Sequence, residues 1–396
     1  MNSFFSSLKK FSATPIMAAA FLMATSAIGP GFLTQTAVFT NNLLASFGFV
    51  ILISIILDIG AQLNIWRVLS ISGMRAQELA NKMYPGAGYI LTFLIVIGGL
   101  AFNTGNLAGA GLGLNALTGL STEVGAIISA AIAIIIFINK KSLGLMDIFT
   151  KVLGMIMIFL TLYVVIVSKP PLGDAIKKTF LPDKFDFYAI ITLVGGTVGG
   201  YISFAGAHRL LDAGMIGPKY INKVTQSATS GILIAAIMRV LLFLAALGVI
   251  SHGAIIDIKN PSASVFQLAA GNMGYKLFGI VMWSAAITSI VGAAYTSISF
   301  FKSFHHFFEK YERLFLVLFV LIPLSIFLVV GRPVSTLLLV GAINGFILPI
   351  ALSIILLASY NEMIVGEYKH PIWLKIFGVV VVLATLFLSV VTFVKM

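Results

Sequence analysis

The sequence predicts an all-α integral membrane protein of eleven transmembrane helices, ten of them forming two inverted repeats of five. Three observations carry that reading. Of 396 residues, 59% are apolar and only 10% charged, whereas soluble domains run at about 25% charged. Many runs reach the ~20 mostly apolar residues that a membrane-crossing helix needs. Two of those runs, five apart in order, are interrupted by glycine clusters with the same flanking pattern. Together they exclude a soluble enzyme, a secreted disulfide scaffold and a disordered chain. Cysteine is absent, so disulfide and thiol chemistry play no part. The net charge of +12 fits basic loops facing anionic lipid, and no nucleic-acid partner is expected.

The first apolar segment lies near 14–38. It is longer than the roughly 7–15-residue core of a cleavable signal peptide and carries Gly29-Pro30-Gly31 in its middle, so it is expected to remain as a span. The segment near 45–66 follows. The one near 88–117 is too long for one straight span and is expected to tilt or to extend past the membrane. Segments near 123–139 and 145–168 complete a first repeat, about 14–168. The polar connection 169–187 reads as a small outer cap. The second repeat, about 188–360, holds 188–211, 224–250, the overlong 262–300, 314–331 and 334–359, and the extra helix is 371–394. With the N-terminus inside, fourteen Lys and Arg face the cytoplasm, Lys9, Lys10 and Lys302 among them, against seven outside. That asymmetry sets the orientation, and an odd span count puts the C-terminus outside, in what is expected to be a prokaryotic plasma membrane.

Mid-span Gly and Pro free backbone groups that lipid cannot satisfy, so they survive only beside protein or a water-filled cavity. The first span reads Ser26-Ala27-Ile28-Gly29-Pro30-Gly31-Phe32-Leu33-Thr34. The sixth reads Gly195-Gly196-Thr197-Val198-Gly199-Gly200-Tyr201-Ile202-Ser203. Gly31-Phe32-Leu33-Thr34 and Gly200-Tyr201-Ile202-Ser203 share the order glycine, aromatic, aliphatic, hydroxyl. An offset of five spans makes the two copies run in opposite directions, the mark of an inverted repeat with its site at two broken helices. Gly111, Gly113 and Gly154 read instead as packing glycines.

Gln62-Leu63-Asn64, Gln77-Glu78-Leu79-Ala80, Tyr84-Pro85, Asn106-Leu107-Ala108-Gly109-Ala110 and Leu348-Pro349-Ile350-Ala351-Leu352 resemble motifs of the NRAMP metal transporters, within the amino acid–polyamine–organocation superfamily. The resemblance runs over almost the whole chain. It implies a leucine-transporter-type fold with an added eleventh helix, and secondary transport by alternating access. The departures fall on the family's functional residues. Its first-helix Asp-Pro-Gly-Asn is Gly29-Pro30-Gly31-Phe32 here, and its sixth-helix Met-Pro-His is Gly199-Gly200-Tyr201. The acidic pair of its third helix is Asn106 and Gly109, and a tenth-helix glutamine is Ile347. The scaffold is similar and the metal-binding side chains are replaced.

Gly29, Phe32, Gly199 and Tyr201 offer no carboxylate, thioether or imidazole, so weak or absent transition-metal transport is expected. Half-helix N-termini present unpaired N–H groups and partial positive charge, and bare glycines let an anion approach them. The candidate substrate-binding residues are Gly29, Pro30, Gly31, Phe32, Asn106, Gly199, Gly200, Tyr201 and Arg239. Arg239, deep in the seventh span, contacts substrate, pairs with Asp58 of the second span, or snorkels to an interface. Phe32 and Tyr201 wall an organic solute or serve helix packing. His208, Arg209 and Asp212 form an inner gate or stand as solvated end charges. Similarity to related sodium symporters implies a sodium site at Thr288 and Ser289 with carbonyls near Ala24–Ala27, against hydroxyls that bond back to their own helix. A proton is the other coupling ion, with Asp58 the obvious deep carboxylate. No cofactor is expected, and there is no Gly-x-x-x-x-Gly-Lys nucleotide loop.

The leading expectation is a secondary transporter of a small organic anion or amino-acid-like solute. The main alternative is a divalent metal transporter with rearranged ligands, Asn103, Asn106, Asn344 and carbonyls, favouring a hydrated hard ion such as magnesium. A membrane sensor or channel-like subunit is a third class. An enzyme has no nucleophile–base set to stand on.

Overall fold

The computed structural model describes residues 15–138, 140–301, 304 and 306–395. Lys9, Lys10 and Lys302 of the inner basic set lie outside these. Among the described residues the secondary structure is helical throughout, without strands. The first span is two helices, α1 (Pro15–Ala27) and α2 (Pro30–Leu43), and the second is α3 (Phe47–Ser72). A short α4 (Ala76–Met83) precedes the long α5 (Ala87–Thr118), followed by α6 (Thr122–Ile138) and α7 (Lys140–Ser168). The expected outer cap is α8 (Leu172–Phe180), turned 108° from the end of α7. The sixth span is again two helices, α9 (Phe187–Thr197) and α10 (Ile202–Asp212). Then come α11 (Ile221–Ser251), α12 (Pro261–Ser299), short α13 (His306–Lys310), α14 (Glu312–Val330), α15 (Pro333–Ala358), short α16 (Glu362–Val365) and α17 (Ile372–Lys395).

Each of the eleven apolar segments coincides with a helix or a helix pair. Among the described residues, eight helical stretches are long and apolar enough to cross a membrane, nine with the bent α7–α8 pair, while α1 and α6 are shorter. The outward faces carry large apolar side chains such as Ile127, Leu321, Leu383 and Phe387, as lipid contact allows and water does not. The overlong eighth segment resolves into two pieces. Ala270 and Gly271 (φ +63°) leave helical geometry inside α12.

Glycines decide the tightest helix contacts. A Cβ on Gly113 of α5 would stand 2.7 Å from the Trp283 amide nitrogen of α12, and one on Gly111 2.2 Å from the Thr122 carbonyl. Gly154 differs from the expectation: among the described residues nothing lies within 4 Å of its Cβ position. The extra helix is held at Asn64, whose side-chain N–H donates to the Leu374 carbonyl (2.9 Å) and whose Oδ1 faces His370 Nε2 at 2.8 Å. The polar end of the second span is therefore the anchor of α17. Burial, with Arg67 and Lys375 nearby, lowers the His370 pKa to about 4.

Candidate substrate site at the broken helices

The first break follows from local chemistry. Pro30 has no N–H and its ring cannot continue α1, yet its fixed φ suits the first position of a new helix. Gly29 precedes it in extended geometry, and no side chain caps α2. The N–H groups of Gly31 and Phe32 at that helix start meet no side-chain cap. Around them Ser26, Gly29, Gly31, Phe32, Gln35 and Asn106 line a small cavity, closed by Phe102, Gly105, Gly196, Leu337, Val340 and Gly341. The space there is about one water across. Gly109, where the family motif has an acid, faces the proline: a Cβ there would fall 2.1 Å from Pro30 Cβ. The bare position is what lets the break pack against α5.

The sixth break is built differently. Gly200 takes φ +59°, a conformation that disfavours any Cβ-bearing residue. The Val198 carbonyl accepts from the Ser203 hydroxyl, and the Gly199 N–H reaches back to the Val194 carbonyl (3.1 Å). A Cβ on Gly199 would stand 2.4 Å from the Asn344 carbonyl oxygen, and one on Gly200 2.0 Å from Asn344 Oδ1. The break is pressed onto α15. Tyr201 is fully buried, edge-on to Phe102 with ring centroids 5.1 Å apart.

The structure thus sorts the expected substrate residues. Gly29, Gly31, Phe32 and Asn106 line the cavity, and Pro30 sits between it and Gly109. Gly199, Gly200 and Tyr201 do not line it. In this structure the two glycines pack closely on α15 and the tyrosine is buried against Phe102, itself a cavity residue. Arg239 is corrected. Its guanidinium lies 3.0 Å from the Asp58 carboxylate, with side-chain exposures of 1% and 0%, and 3.4 Å from the Ser54 hydroxyl. Of the three options for Arg239 the buried pair is realised, and Asp58 is committed to it.

Asn103 and Asn344 also hold structural posts. Asn103 donates to the Ile290 and Phe319 carbonyls and accepts from Asn106. Asn344 donates to the Gly98 and Val340 carbonyls. Thr288 bonds back to Ala285 at 3.0 Å, whereas Ser289 reaches the Thr25 carbonyl beside the first break at 3.4 Å. At the end of α10 Asp212 pairs with Arg75 (2.6 Å) and accepts from Tyr295 (2.6 Å). Buried His208 stands between Ser299 Oγ (3.0 Å) and the Ala76 N–H (3.4 Å). Arg209 and Asp212 are exposed to solvent, and His208 is buried.

Gln35 was not among the sequence candidates. It is fully buried at the cavity wall, its Nε2 donating to the Leu337 carbonyl at 3.2 Å. The available signal was the polar triplet Thr34-Gln35-Thr36, one turn past the break in an otherwise apolar span.

The family model of natural resistance-associated macrophage protein-like (Nramp) proteins matches residues 20–395. The uncharacterized membrane protein YcsG of Bacillus subtilis (strain 168) is 58% identical over 377 residues, covering 95% of this chain and 93% of its own. The divalent metal cation transporter MntH of Vibrio campbellii is 22% identical over 326 residues, 79% of this chain and 74% of its own. Among solved structures, the Eremococcus coleocola manganese transporter in complex with an aromatic bis-isothiourea compound superposes with a TM-score of 0.73 at 16% identity, covering 96% of this chain and 87% of that one. MhsT in complex with L-phenylalanine gives 0.59 at 16% identity, covering 96% and 98%. These likenesses establish the leucine-transporter-type fold, with its inverted repeat and broken first and sixth helices. The chain is an integral membrane protein and belongs to the Nramp family of transporters.

Proposed function

We propose that the protein is a secondary active transporter whose cargo is a small organic anion or amino-acid-like solute. The observation that supports this cargo is the chemistry of the cavity at the first break. Its polar wall is Ser26, Gln35 and Asn106 beside an uncapped helix N-terminus. No carboxylate, imidazole or thioether faces it, and among the described residues no group of three or more His, Cys, Asp or Glu could hold a metal. A helix start of this kind attracts a carboxylate, and alternating access supplies the widening that an organic solute needs. We read residues 14–168 and 188–360 as the two repeats, with the N-terminus cytoplasmic and the C-terminus outside. Ser289, beside the Thr25 carbonyl, supports sodium as the coupling ion over a proton, since Asp58 is tied to Arg239.

The second reading is a divalent cation, and the comparisons back it better than they back an organic anion. The named transporters among the relatives carry divalent metal or manganese. The present size of the cavity also suits an ion. Its ligands would be neutral oxygens of Gln35, Asn106 and Ser26, a set that favours a hard, partly hydrated ion such as magnesium over manganese.

Thermal-shift binding on the purified full chain separates the two. The carboxylate reading expects stabilisation by amino acids or small carboxylates and none by manganese or magnesium. Stabilisation by a divalent metal at micromolar level, lost in Asn106→Ala, would establish the second reading instead. Replacing sodium with choline during uptake tests the coupling: transport unchanged in choline removes Ser289 from it.

A further inference from the structure

Gln35 sits four residues past Gly31 on α2, so the two share one helix face. The side chain folds back toward the helix start: a Cβ on Gly31 would lie 3.7 Å from Gln35 Nε2. Nε2 donates to the Leu337 carbonyl of α15, which fixes which end of the amide is oxygen, because a flipped amide would set two acceptors against each other. The oxygen that remains, Oε1, is buried and has no partner in the protein. An unmade hydrogen bond at a buried acceptor is costly. The amide also has a niche made for it. A Cβ on Gly196 would lie 2.7 Å from Oε1, and one on Gly341 2.4 Å from Nε2, so both positions are clear only as glycine. Gly196 and Gly341 line the same cavity.

We propose that Gln35 determines specificity in this cavity by accepting an N–H from the solute through Oε1. The cargo is then a small carboxylate that also carries an ammonium or amide N–H. Its carboxylate sits at the start of α2 and its N–H at Gln35. This rests on the carboxylate reading above, and adds the second functional group and the residue that reads it. Asn106 Nδ2 donates one of its two N–H groups to Asn103 Oδ1. A plain carboxylate leaves Oε1 unpaired, and a site built to hydrogen-bond a donor rejects analogues that lack it.

The test is equilibrium binding to the full-length protein of matched pairs, alanine with propionate and proline with cyclopentanecarboxylate. The wild type is expected to prefer the N–H member by about tenfold or more. Gln35→Met, of similar size without the acceptor, is expected to bring each pair within about twofold, chiefly by weakening the N–H member. Should Gln35→Met fail to elute as a single species, Gln35→Asn withdraws the acceptor by one methylene and is expected to show the same loss. A preference that survives removal of the acceptor, or no preference in the wild type, overturns the role of Gln35 and leaves the carboxylate reading standing. Failure of every carboxylate to bind, with magnesium binding in their place, overturns both.

Discussion

The two broken spans carry the same sequence pattern and do different work. The first opens an uncapped helix start onto a cavity, with Gly31 clear of its neighbours by 3.7 Å or more. The sixth is tighter: Gly195 and Gly199 lie against the backbone of α15, Gly200 against the Asn344 side chain, the Val198 carbonyl is met by Ser203, and the tyrosine is buried, with Gly196 at the cavity wall. A glycine cluster in a membrane helix can therefore mean room for a ligand or room for another helix. What separates the meanings is the distance from the missing Cβ to the next atom, which a sequence does not contain.

The sharpest way to break the comparison is a methyl group added to each. Gly195→Ala would drive a Cβ to 1.9 Å from the Gly341 carbonyl oxygen and 2.7 Å from the Gly345 Cα. Backbone cannot swing aside as a side chain can, so overpacking should reach or exceed its usual ~1–3 kcal/mol, with loss of monodisperse protein on size-exclusion chromatography. Gly31→Ala is expected to leave yield and melting temperature unchanged and to weaken solute binding by about tenfold. Equal damage to folding from both would erase the distinction.

The open break lacks charge, and the deep charges of Asp58 and Arg239 lie in a pair elsewhere. Arg239→Leu should cost about 3–5 kcal/mol by leaving a buried carboxylate without its partner. Removing both charges, Asp58→Leu with Arg239→Leu, should recover most of that in a thermal-unfolding measurement. In this double variant solute affinity should stay within about twofold of wild type. A larger loss would return Arg239 to the site.

The smallest effect concerns α17, which neither break needs. His370 is held neutral, its pKa lowered to about 4 by burial and by Arg67 and Lys375. The unfolded chain, titrating near 6.5, then binds more protons than the folded one between these values. Stability is fully present above pH 6.5 and is lost as pH falls toward 4. Melting curves across that range should slope downward with acid, and less so in His370→Gln.

Much of the fold was legible because the bilayer makes it so. Apolar runs of span length, separated by polar turns, located each long helix or helix pair but not the short α4, α13 and α16, and Gly29-Pro30 marked the first break through the chemistry of proline itself. The site was legible only in part. Gly29, Gly31 and Phe32 follow from that break and Asn106 from the third-helix motif, and all four line the cavity. Arg239 was read into the site because a deep charge implies a use, and the structure shows that its use is Asp58. Gln35 was passed over because an uncharged amide in an apolar helix gives a weak signal. Its importance lies in an acceptor left unpaired by packing three-dimensionally distant residues, Gly196, Leu337 and Gly341, around it.

The central claim is that this Nramp-family cavity accepts a carboxylate solute in place of a divalent metal. Proteoliposomes reconstituted with the full chain can be loaded with the two classes in parallel and followed for labelled uptake under a sodium gradient. The account predicts saturable uptake of an N–H-bearing small carboxylate, reduced at least tenfold by Gln35→Met, with no manganese or magnesium flux above protein-free vesicles. Saturable flux of either metal, with carboxylates neither transported nor competing, would contradict it.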